Sequence, residues 1–169
     1  MLTKYHRIMK SKASTGLLLT VLMSLSIACN TKIPAPANVV VNKEKIKKEI
    51  QAKEDQFAEI YNSGELRRIG YYAEDATSYA PNRAPLVGRE DIIEYLKVDV
   101  ESNTDKISFT TREVFVSNDG NMVVELGHYQ VVDSTGTPFN TGNYMCLFEK
   151  RNDQYYCVRD MSVSDIPLE

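Results

Sequence analysis

From Ile107 to Ser162 the chain carries four β-prone runs separated by turn signals, and this back half does most to restrict the fold. Ile107–Ser117 is rich in Phe, Thr and Val, and Asn118-Asp119-Gly120 is a hairpin turn signal. Met122–Val132 is a second run, and Ser134–Pro138 reads as a turn. Gly142–Lys150 and Tyr155–Ser162 follow, joined through Arg151-Asn152-Asp153-Gln154. Connections this short join antiparallel neighbours, so these residues form an antiparallel sheet. One face of that sheet has to be covered.

The front half supplies the cover. Ile46, Ile50, Phe57 and Ile60 or Tyr61 recur near helical spacing from Lys43 to Tyr61, and Asn62-Ser63-Gly64 ends the helix. Ser63 is placed to cap a second short helix, Glu65–Tyr72, with Leu66, Ile69 and Tyr72 inward. Asp75–Tyr79 reads as a short strand and Pro81–Pro85 as a loop. After Gly88 a third helix runs from Glu90 to about Val100, with Ile92, Ile93, Leu96 and Val100 as its apolar set. Three helices followed by a curved antiparallel sheet predict an α+β domain with helices on one face.

The N-terminus reads as an address. Lys4, Arg7, Lys10 and Lys12 precede an apolar stretch, Ala13–Ala28, with no acid before Cys29. A basic segment, a short apolar run and a small residue at the cut describe a secretory signal peptide over residues 1–28. Ser26-Ile27-Ala28-Cys29 resembles the lipobox of bacterial lipoproteins, with Ser26 where Leu is usual. That resemblance implies a lipidated Cys29 and export to the cell envelope, at the outer membrane facing the periplasm. Residues 29–42, with two prolines, read as a flexible tether, and 43–169 as the folded domain. Removing residues 1–28 takes away four of the 20 basic residues and leaves 16 against 23 acidic ones, a net charge of −7. Such a chain lacks the basic patch that nucleic acid requires.

The order of several short motifs narrows the fold. Asn62-Ser63-Gly64-Glu65-Leu66, Tyr72-Ala73-Glu74-Asp75-Ala76-Thr77, Pro81-Asn82 and Gly88-Arg89-Glu90-Asp91-Ile92 resemble the front half of a nuclear transport factor 2-like domain. Gly127-His128-Tyr129, Gly142-Asn143-Tyr144, Asp160 and Ser164–Pro167 resemble its SnoaL-like branch, known as domain of unknown function 4440. The resemblance runs from about Lys43 to Pro167 and implies a cone: three helices close one side of a strongly bent sheet and leave a pocket. The branch usually has Trp where this chain has Tyr155.

In ketosteroid isomerases of this superfamily a carboxylate precedes the proline of the Ala80-Pro81 motif, a tyrosine donates to the oxyanion, and a second acid assists. Here the first place is Ala80, the second Phe57, and the third, near Met145 or Cys146, has no carboxylate. A methyl group takes no proton and Phe donates none, so isomerase chemistry of that type is disfavoured. Glu74 and Asp75 read as solvated or capping acids.

His128 is the single histidine after residue 28, and strand alternation with the family's small pocket-facing residues turns it outward. One His without a Cys/His cluster predicts no metal site, and nothing implies a cofactor. Glu125 shares the pocket face with Tyr129; Tyr144, Asp160 and Tyr79 are expected to join it. Glu125 then serves as a polar handle, as a general base, or as a structural acid paired with Arg112 or Arg159. With a two-residue turn at Asn152-Asp153, position 146 opposes 159 and 148 opposes 157, which sets Cys146 and Cys157 on a diagonal. A disulfide and two buried thiols both fit that placement. Three functional readings stay open. The favoured one is a lipid-anchored domain that holds a small, partly apolar molecule without isomerase-type catalysis. The second is an enzyme using Glu125 or Asp160 as acid/base. The third is an interaction protein with a vestigial pocket that forms a homodimer through the outer sheet face.

Overall fold

The computed structural model describes residues 41–167. Cys29, the apolar stretch before it and most of the tether lie outside these residues. Helix α1 spans Lys43–Ser63. It begins where the Asn42 side chain accepts the Lys45 backbone N–H at 2.9 Å, and it ends at Gly64, whose φ of 77° only glycine adopts cheaply. Its buried face is Ile50, Glu54, Phe57, Ala58, Ile60 and Tyr61. A carboxylate therefore occupies the rung of the apolar stripe between Ile50 and Phe57.

The second predicted helix is only a single 3-10 turn, Leu66–Arg68. Gly70 follows it, and the two tyrosines Tyr71 and Tyr72 take the extended backbone that aromatic residues favour. Strand β1 accordingly starts early, at Tyr72, and runs to Tyr79. Strand β2 is Leu86–Val87 and helix α2 is Arg89–Ser102, with Glu90 and Asp91 in its first turn and Ile92 fully buried. Strands β3 (Lys106–Val116), β4 (Met122–Val132), β5 (Pro138–Arg151) and β6 (Gln154–Ser164) complete the domain.

The six strands form one sheet in the order β2-β1-β6-β5-β4-β3. All neighbours are antiparallel except β1 and β6, which run parallel, with Thr77 beside Arg159 and Ser78 beside Asp160. The expected all-antiparallel sheet is corrected at that one joint. The turn between β5 and β6 places Asn152 and Asp153 at φ 50° and 62°, as a two-residue hairpin requires. Phe148 faces Cys157 as the turn predicts, but a bulge at Val158 moves Cys146 from Arg159 to Asp160. Both cysteines are buried free thiols.

Helix α1 packs along β3, and α2 lies over β1. The core between helices and sheet includes Ile50, Ile92, Val123, Phe148, Tyr155 and Cys157. Tyr155 is 1% exposed and donates to the Gly120 carbonyl, so it fills the space a tryptophan would take and keeps its hydroxyl bonded.

Candidate functional site

A cavity of about 320 Å³ lies between the two helices and the inner face of the sheet. Its deep end is walled by Glu54 and Phe57 of α1, Tyr71 and Tyr72 at the start of β1, and Cys146 and Asp160 of the sheet. Tyr61, Tyr95, Leu96 and Asp99 line it from the helical side. Phe109, Tyr129 and Tyr144 reach in from β3, β4 and β5. The rings interlock: Phe57 lies 4.9 Å from Tyr71, 5.6 Å from Phe109 and 6.0 Å from Tyr72, centroid to centroid. Each such contact contributes about 0.5–1.5 kcal/mol beyond the area it buries, so the wall is preformed.

Two glycines make room for this wall. A side chain at Gly127 would occupy the space of the Tyr144 ring, and one at Gly142 would meet the Tyr129 ring and the Val163 carbonyl. The missing Cβ atoms let each tyrosine lie across its neighbour strand and point along the cavity.

The polar groups of the deep end are acids bonded to hydroxyls. Tyr71 donates to Glu54 Oε1 and lies 3.3 Å from Cys146 Sγ. Thr111 and Tyr144 both donate to Glu125 Oε1, the latter at 2.9 Å, while Oε2 has no hydroxyl or amide partner. Glu54 and Glu125 also stand close, with a carboxyl oxygen of each within 4.8 Å of the other. Burial, and then the charge of Glu125, drive the Glu54 carboxyl well above its ordinary range. Glu125 is raised by burial and pulled back by its donors.

Asp160 forms a separate acid site. Tyr72 donates to its Oδ2 at 2.9 Å, while Oδ1 is buried and bonds to no protein group. Burial raises its carboxyl; the nearby Ser78 hydroxyl and Tyr72 oppose the rise without cancelling it. At the helical side Tyr61 donates to Asp99.

Tyr129, Tyr144 and Asp160 thus meet in one cavity with the sequence-placed Ala80 and Phe57. Two expected positions need correction. Glu125 does not line the cavity; it is 0% exposed and stands behind the wall, reached through Tyr144 and Glu54. Tyr79 points away, 43% exposed, because β1 is irregular between Tyr72 and Thr77 and it is Ser78 and Ala80 that face inward. Glu74 and Asp75 sit in a strand rather than at a helix end and pair on the surface with Arg89 and Arg151, each at 2.6 Å. Glu54, Tyr61, Tyr71, Tyr72 and Asp99 were not foreseen. Only Glu54 left a trace in the sequence, as an acid four residues after Ile50 and three before Phe57 on an apolar stripe.

Glu54, Glu125 and Cys146 bring three ligating atoms within 4.8 Å of one another. The Tyr71 hydroxyl already bonds to Glu54 and contacts Cys146 there, and a cation would have to displace it.

The model of the SnoaL-like domain matches residues 55–157. The chain belongs to the SnoaL-like domain family. The SnoaL-like domain also has solved structural neighbours of the nuclear transport factor 2-like, cystatin-like fold. One from Novosphingobium aromaticivorans is 16% identical with a TM-score of 0.61, covering 70% of this chain and 81% of that one. A ketosteroid isomerase-like protein from Erwinia carotovora is 16% identical with a TM-score of 0.59, covering 75% and 100%. A third, of unknown function, from Shewanella oneidensis is 22% identical with a TM-score of 0.56, covering 70% and 98%. These likenesses establish the fold. No curated protein sequence matches the chain significantly. Within this SnoaL-like domain, Ala80 and Phe57 present only apolar atoms to the cavity, so its acid and hydroxyl groups sit elsewhere, on Glu54, Asp160 and the tyrosines.

Proposed function

We propose that this is an exported lipoprotein, anchored through Cys29, whose SnoaL-like domain binds a small, partly apolar molecule. The observation that carries the reading is the preformed cavity: about 320 Å³, within the range of small-molecule sites, walled by aromatic rings with a few convergent polar groups. The rings supply apolar contact and the carboxyl groups fix orientation. Native mass spectrometry of the purified protein, before and after denaturation, tests it. A mass that travels with the folded protein and leaves on denaturing supports binding. A cavity that stays empty against lipid and metabolite extracts overturns it.

The second reading is an enzyme, and one observation favours Asp160 over Glu125 as its acid/base group. Asp160 lines the cavity, has a carboxylate oxygen without a partner and holds its proton above the ordinary range, whereas Glu125 has no access to a ligand. Turnover lost in Asp160→Asn, with binding retained, distinguishes catalysis from binding alone.

A further inference from the structure

The cavity is one-sided in charge. Glu54, Asp99 and Asp160 line it, together with six tyrosines reaching in from both layers, and no Lys, Arg or His is among its lining residues. Glu54 and Asp160 flank a common spot at the deep end. Asp160 faces Cys146 across β5 and β6, and Cys146 Sγ lies within 4.8 Å of the Glu54 carboxyl. Phe57, Tyr72 and Tyr144 present their rings to the same end.

We infer that the cavity takes a protonated amine with an apolar body, seats its ammonium on Asp160, and turns away carboxylates and phosphates of the same shape. The inference rests on the small-molecule reading of this cavity. An ammonium carries three donors, and Asp160 Oδ1 is an acceptor that no protein donor reaches. The surrounding π faces attract a cation where water is excluded. The protein already shows such a contact at the rim, where the Arg83 guanidinium lies 4.0 Å from the centroid of the Tyr95 ring. Arg83 itself is not among the lining residues. An anionic ligand meets the opposite situation. It would bring a like charge beside Asp160 with no lining cation to pair, which costs affinity through both repulsion and desolvation.

Three probes of one shape separate charge from fit: 2-phenylethylamine, 2-phenylethanol and 3-phenylpropanoate, titrated by calorimetry into the purified full-length chain at neutral pH. The amine is expected to bind on the order of 100-fold more tightly than the carboxylate, with the alcohol between them. Asp160→Asn is expected to cut the amine's advantage over the alcohol about tenfold, while circular dichroism confirms that the variant is folded. Equal binding of amine and carboxylate, or a preference for the carboxylate, overturns the charge selection and leaves the binding cavity standing. Binding of the amine with no loss in that variant overturns the assigned seat. No binding of any probe at millimolar concentration overturns the inference, and the native mass measurement then decides separately whether the cavity holds anything.

Discussion

A carboxyl group buried on an apolar helix stripe, as Glu54 is on α1, binds its proton more tightly in the folded chain than in the unfolded one. Between the two pKa values the folded state therefore holds more protons. Stability falls as pH rises from the ordinary carboxyl range towards the folded value, and it is greatest below that range. Glutamine at this position removes the ionisation, and its carbonyl still accepts from Tyr71. Urea denaturation at pH 5 and pH 8 is expected to show a smaller pH loss for Glu54→Gln than for the native chain, with the variant at least as stable at pH 8. A steeper loss in the variant would contradict the raised Glu54 carboxyl. Glu54→Ala is a different change, because it takes away the carboxyl acceptor of the Tyr71 hydroxyl. Roughly 2–3 kcal/mol of destabilisation is expected at either pH.

At the scale of elements, the site depends on a few strand positions whose neighbours lack side chains. Gly127→Ala puts a methyl group where the Tyr144 ring lies, and the expected cost is about 1–3 kcal/mol together with the loss of the Tyr144–Glu125 bond. Thermal denaturation gives the first, and weaker probe binding in a variant that still folds gives the second. The same scale shows what the sequence revealed. Helical spacing located α1 and α2, and the turn residues located the β3–β4 and β5–β6 hairpins, because both signals are local. Tyr129, Tyr144 and Asp160 followed from strand parity combined with the family resemblance. Tyr79 and Cys146 were misplaced because irregularities in β1 and at Val158 flip parity, and neither leaves a mark on composition. Tyr71 and Tyr72 were assigned to a helix end, since nothing nearby announces that they will pair with a strand at the far end of the chain. Asp99 looked like any acid on a polar helix face; only its approach to Tyr61 makes it part of the wall.

The whole molecule presents an unusually apolar outer sheet face. Phe115, Met145, Met161 and Val163 are 43–57% exposed, and Leu126 and Leu147 are half-buried beside them. A patch of this kind marks an interaction surface, and we propose a second copy of the chain as its partner. Analytical ultracentrifugation is expected to show a dimer that Leu126→Lys converts to monomer without unfolding; a wild-type monomer at micromolar concentration would rule that partner out. The proposed membrane anchor is tested at the same scale. Cys29→Ser is expected to move the protein from the membrane fraction to the soluble fraction, and an unchanged distribution would contradict lipidation. The parallel joint between β1 and β6 has a consequence in time. Tyr72 and Ser78 are synthesised early, whereas Asp160 arrives on the last strand of the sheet. The ribosome thus delivers one side of the cavity long before the other, and closure waits on a contact of high sequence separation, a slow kind of step. A nascent or truncated chain without β6 lacks Asp160, and its cavity stays open on that side.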